Sequence, residues 1–211
     1  MRKDMKRNKI ITLLAIGILT LGSANAQNKI DGRWYVIEIQ SGNYDAINLP
    51  AISVISNNVE KYQTIASGLS FGVKADYLMI GAKLELYSLP TFQISMKEKM
   101  ASQKVSIFTR QYGYINDMIA LYVGATVGVD FMQNTFKHND NINSINRYGI
   151  NIAAETGINF MFGDTYIGLY GAVGETEILN SDNINLPEPM EPTEDNFLKY
   201  KSFGITFGIY F

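Results

Sequence analysis

The 211-residue chain has no cysteine. That excludes a disulfide framework, a thiolate metal site and a lipid-modified cysteine at a processed N-terminus. Histidine is nearly absent too, with His138 alone. Proline is scarce: there are five, three of them at 187, 189 and 192. Beyond the first 26 residues no stretch reaches 18 consecutive apolar residues, so any membrane insertion must use strands. The mean hydropathy of −0.02 resembles that of a soluble protein, but an average cannot register alternation. A barrel with one oily face and one polar face has a similar mean.

The N-terminus has its own pattern. "MRKDMKRNK" is a basic region, "IITLLAIGILTLG" an apolar one, and "SANAQ" supplies small residues for cleavage between Ala26 and Gln27. The apolar stretch falls short of the roughly 20 residues that cross a bilayer as a helix. Residues 1–26 therefore read as an export signal and 27–211 as one domain; a retained signal anchor is the alternative. The signal holds five of the 18 basic residues and one of the 20 acidic ones, leaving 13 against 19, a net charge of −6. An acidic exported protein is a poor nucleic-acid binder.

Eight segments of the remaining chain alternate with period two: 33–41, 68–76, 78–88, 104–114, 118–131, 147–162, 165–174 and the closing 203–211. The segment at 104–114 separates its faces least cleanly. The connections "DY" (76–77), "IND" (115–117) and "GD" (163–164) are tight turns. The intervening segments 42–67, 89–103, 132–146 and 175–198 are long and polar. Short and long connections thus alternate, as in a membrane barrel whose two rims face different compartments. Several strands reach the 9–11 residues that a tilted strand needs to cross a bilayer. The expectation is an all-β, closed, antiparallel, up-and-down transmembrane barrel of eight strands. Ten are possible if "ISVIS-NN-VEKYQTI" forms a further hairpin.

The oily positions, such as Leu84, Val123 and Phe207, would then face lipid, with charge and glycine lining a narrow interior. A soluble barrel with its apolar residues inside is the competing arrangement. It would place Lys83 and Glu155 in water.

The last residues, "FGITFGIYF", alternate apolar Phe207, Ile209 and Phe211 with small or hydroxylated residues and end on an aromatic. This resembles the terminal signal of bacterial outer-membrane proteins. With "SANAQ" and the eight-strand layout, the chain resembles the small porin-like outer-membrane barrels of Bacteroidetes-type bacteria. The resemblance covers 27–211 as architecture and about ten residues as motif. It implies the outer membrane of a Gram-negative bacterium, surrounding lipid, insertion by the barrel assembly machinery and both termini in the periplasm. It implies no ligand.

Six charged residues fall on the inward face: Glu38, Lys74, Lys83, Glu85, Arg110 and Glu155. In a tube just wide enough for its side chains, three acids and three bases are expected at mid-height as a paired plug, since unpaired buried charge is costly. A polar path for ions or small solutes is the alternative. The leading function is a non-enzymatic envelope protein that stabilises the membrane or presents its loops to external partners, with such a path as the runner-up. A lipid-modifying enzyme comes third: His138 has Asp140 and Ser144 nearby in sequence, but neither spacing nor strand context supports a triad. A solvated loop histidine is the simpler reading, so no catalytic residue is assigned. Seven carboxylates crowd 175–198, including Glu175, Glu177 and Asp182, without the fixed spacing of a calcium loop. No cofactor and no metal are therefore expected, and this segment is expected to be an acidic, mobile surface loop. Tyr77, Phe160, Phe162 and Phe211 are expected to form one interfacial girdle, and Phe131 and Tyr148 the other.

Overall fold

The computed structural model describes residues 33–48, 62–93, 96–138, 141–181 and 197–211. They form eight strands: β1 (Arg33–Asn48), β2 (Tyr62–Ala75), β3 (Leu78–Gln93), β4 (Met96–Asn116), β5 (Ile119–His138), β6 (Asn141–Phe162), β7 (Thr165–Ser181) and β8 (Phe197–Tyr210). Each pairs antiparallel with the next, and β8 returns to β1 to close the barrel. Since β1 is flanked by β2 and β8, the barrel has eight strands, not ten. The signal segment 1–26, residues 49–61 of the first long connection and 182–196 of the acidic one lie outside the described residues.

One end carries short turns at 76–77, 117–118 and 163–164. Asp76 and Gly163 occupy the left-handed region there, with φ of 49° and 63°, which short polar side chains and glycine tolerate. At the other end the structure departs from the expected long loops. Strands β3 and β4 stay paired as far as Gln93 and Met96, and β5 and β6 as far as His138 and Asn141. The segments 89–103 and 132–146 are therefore mostly strand, and His138 sits at a hairpin end rather than in a loop. Backbone pairing continues there without an apolar alternation to announce it. Strand β6, with 22 residues, is roughly 70 Å long at the usual rise per residue, about twice what a bilayer needs.

The two faces of the sheet are inverted relative to a soluble protein. In β1, Val36, Glu38 and Gln40 are buried, whereas Tyr35, Ile37 and Ile39 are exposed. In β8, Ser202, Thr206 and Tyr210 are buried, whereas Phe203, Ile205, Phe207 and Ile209 are exposed. Leu84 is also exposed and Val123 half-buried, while Lys83 and Glu155 are enclosed. An apolar surface that circles the molecule far exceeds what a soluble monomer leaves in water; hydrocarbon is the solvent that suits it. Closure of the strands satisfies the backbone inside that solvent and leaves no open edge. No helix among the described residues is long and apolar enough to cross a membrane.

Glycine makes the narrow interior possible. Gly157 lies beside the ring of Tyr122, where an added Cβ would come within 2.6 Å of its Cζ. At the closing seam Gly42 and Gly204 face each other, and a Cβ on Gly42 would lie 2.6 Å from the Gly204 Cα. The seam ends at Phe211. Its N–H donates to the Tyr35 carbonyl at 3.0 Å and its carbonyl accepts from the Tyr35 N–H at 2.9 Å. The two rings stack with centroids 6.0 Å apart.

Candidate functional site: a layered lumen

Alternation sends every second side chain inward, and the register stacks these residues into three layers. The lowest, near the short turns, is aromatic and apolar. Val36, Met79, Tyr112, Tyr122, Tyr166 and Tyr210 pack together there, with Trp34 at the margin. Lys74 is buried in this layer. Its ammonium donates to the Asp76 carbonyl at 3.0 Å and lies 5.2–5.7 Å from the ring centres of Tyr112, Tyr114 and Tyr210. It sits near the turn, not at mid-height, and no ion pair to it occurs among the described residues.

The middle layer is ionic. Arg110, fully buried on β4, lies between two carboxylates: its Nη1 donates to Glu38 Oε2 at 2.6 Å and its Nε to Glu155 Oε1. The other Glu155 oxygen accepts from Lys83 at 3.1 Å, and Lys83 reaches Glu85 at 3.7 Å. Five of the six inward charges expected from the sequence thus form one chain across β1, β4, β6 and β3. Glu38 also accepts from Gln40 Nε2 at 2.6 Å and from the Tyr166 hydroxyl. The Arg110 guanidinium lies 4.7 Å from the Phe108 ring centre and 4.8 Å from that of Tyr122. Such a planar cation suits carboxylates at its edge and aromatic faces above and below.

The third layer, toward the long-strand end, is built around Asp130 and Lys104. Asp130 accepts from Ser102, from Tyr87 at 3.2 Å and from Thr176 at 3.1 Å. The Lys104 ammonium is 3.4 Å from the Tyr200 ring centre and also faces the rings of Tyr44 and Tyr87. Tyr44 stacks on the Tyr87 and Tyr200 rings, at 4.1 Å and 4.8 Å. The Tyr200 hydroxyl donates to Asn151, which donates to Thr176. Neither Asp130 nor Lys104 is among the six inward charges expected from the sequence, and both are buried. Lys104 shares its parity with Arg110, so carrying that alternation back along β4 finds it. Tyr44 falls in the segment 42–67, read as a connection, and Tyr200 lies between the acidic connection and the closing strand, so neither carries such a signal.

The lipid-facing aromatics lie at two levels. Phe160, Phe162 and Phe211 are exposed near the short turns, where Tyr77 is half-buried. Phe131 and Tyr148 face each other across β5 and β6 toward the other end. Of the residues once weighed as a triad, Ser144 is exposed on β6, His138 ends β5, and Asp140 lies outside the described residues. No cluster of metal-ligating side chains occurs among the described residues.

The sequence matches no known family model and no curated protein. The fold is shared with solved structures. The crystal structure of Neisserial surface protein A is similar with a TM-score of 0.58 at 9% identity, over 86% of this chain and 100% of that one. Ail, the attachment invasion locus protein of Yersinia pestis, crystallised with the heparin analogue sucrose octasulfate, is similar with a TM-score of 0.51 at 11% identity, over 86% and 100%. At such identities the likeness establishes the closed eight-stranded barrel and leaves the role to this chain's own residues.

Proposed function

We propose that this chain is a non-enzymatic outer-membrane protein of a Gram-negative bacterium, held in lipid by its apolar outer wall, with a lumen closed by its own side chains. Its role is structural or interactive: the strands project past the bilayer on the external side and present a surface to partners outside the cell. Residues 1–26 direct export, and the terminal strand with Phe207, Ile209 and Phe211 is the element that the barrel assembly machinery engages. The resemblance to Bacteroidetes-type barrels belongs to this proposal as well.

The observation that carries the closed lumen is the buried chain from Glu38 through Arg110 and Glu155 to Lys83, at the level where a solute would have to pass. In planar bilayers the purified protein is expected to show no steady conductance. A stable, salt-dependent current would replace this reading with that of a narrow channel. One observation favours the channel as the second reading. Gln40 Oε1, Arg110 Nη2, the Tyr122 hydroxyl and Thr206 Oγ1 are buried without a protein partner among the described residues, so the interior is polar enough to be wetted.

A further inference from the structure

Toward the long-strand end, the outer wall of β4, β5 and β6 changes character over three successive rungs. Val105, Val129 and Ile150 form one; Gln103, Phe131 and Tyr148 the next; Ala101, Gln133 and Asn146 the third. Purely apolar gives way to aromatic and then to amide. A cavity of about 380 Å³ opens over the upper two rungs, within the size range of roughly 300–1,000 Å³ usual for small-ligand sites. Ala101 leaves room where its neighbours project. Met132 and Arg147 border it from behind; both are buried and share the inward parity of Asp130 and Asn151, so the residues that face outward over the cavity carry no charge.

We infer that this cavity binds the saccharide headgroup of a glycolipid in the external leaflet. The inference rests on the membrane orientation proposed above. The cavity is continuous with the lipid-facing wall, so its occupant carries hydrocarbon beside the valine rung and a polar group beside the amides. Sugar hydroxyls both donate and accept, as carboxamides do. Gln133 Nε2 donates to Asn146 Oδ1 at 3.2 Å, which leaves most of the donors and acceptors of these two amides for a ligand. The Tyr148 and Phe131 rings offer apolar faces to the C–H surface of a sugar. No carboxylate lines the cavity to hold a cationic headgroup. Across the barrel, the wall near the same end is built differently. There Lys201 pairs with Asp45 at 3.7 Å and Lys199 with Glu175 at 4.0 Å, so charges meet one another instead of framing a cavity.

The test uses the purified barrel in mixed micelles with lipid A, dephosphorylated lipid A or phosphatidylethanolamine, and native mass spectrometry to count retained lipid. Both lipid A forms are expected to be retained at least about tenfold better than phosphatidylethanolamine, a difference of about 1.4 kcal/mol. The double variant Gln103→Leu, Gln133→Leu, altered only on the outer face of the sheet, is expected to lose most of that preference. Its heat-modifiable migration in detergent gels should not change. Equal retention of all three lipids, a preference that disappears with the phosphates, or an undiminished preference in the variant would each overturn the site while leaving the barrel intact. A wild-type protein without heat-modifiable migration would instead remove the membrane reading, and the site with it.

Discussion

At the residue scale, two of the buried cations, Arg110 and Lys74, are not equivalent. Arg110 is held by two buried carboxylates, whereas Lys74 is held by one backbone carbonyl and the faces of three tyrosines. Removing one member of a buried ionic set costs about 3–5 kcal/mol, because the partners remain charged and unpaired. Arg110→Ala is therefore expected to destabilise the barrel by about that amount in denaturant unfolding from micelles. Lys74→Met, which strands no carboxylate and keeps the apolar stem, is expected to change stability by less than about 1 kcal/mol. Equal losses would mean that the ion pairs of Arg110 contribute nothing particular. The central charges were legible in the sequence because parity alone decides which residues face inward. Glu38, Lys83, Glu85 and Glu155 lie in cleanly alternating strands. Lys104 was not, because β4 mixes an inward Phe108 with an outward Thr109 and Gln111, which blurs the contrast that reveals a face.

At the scale of elements, β8 supplies the seam that closes the ring against β1. Phe211 contributes two backbone hydrogen bonds and a ring stacked on Tyr35 at the end of that seam, so barrel closure holds it against β1. Deletion of Phe211 is expected to lower the yield of membrane-inserted, heat-modifiable protein in cells, while upstream strand pairing is unaffected. Normal insertion of the truncated chain would contradict this. The membrane-crossing halves of the strands were readable because lipid on one side and a cramped lumen on the other impose opposite chemistry on successive residues. Beyond the bilayer both faces meet polar surroundings. Residues such as Gln133, Thr135, Ser144 and Asn146 make the outer face polar there, so no apolar alternation marks these stretches although their backbones remain paired. The segments 89–103 and 132–146 are therefore largely continuations of strands.

At the scale of the molecule, everything depends on the barrel being turned inside out. Burial of charge beside Phe108 and Tyr122, exposure of Ile205 and Phe207, and the change from apolar to amide rungs on β4–β6 follow from one orientation of the sheet. Solved barrels with about one residue in ten identical share this fold, so the arrangement is carried by pattern and not by particular side chains. Absence of cysteine from the native chain makes that orientation directly measurable, since single cysteines can be introduced and spin-labelled one at a time. In reconstituted vesicles, labels at Phe203, Ile205 and Phe207 are expected to collide freely with dissolved oxygen, which concentrates in hydrocarbon. Labels at Ser202 and Thr206 are expected to be shielded from it. The opposite pattern, with the phenylalanine positions shielded and the serine and threonine positions open to a water-soluble relaxant, would show a soluble barrel with a dry core and would contradict the account.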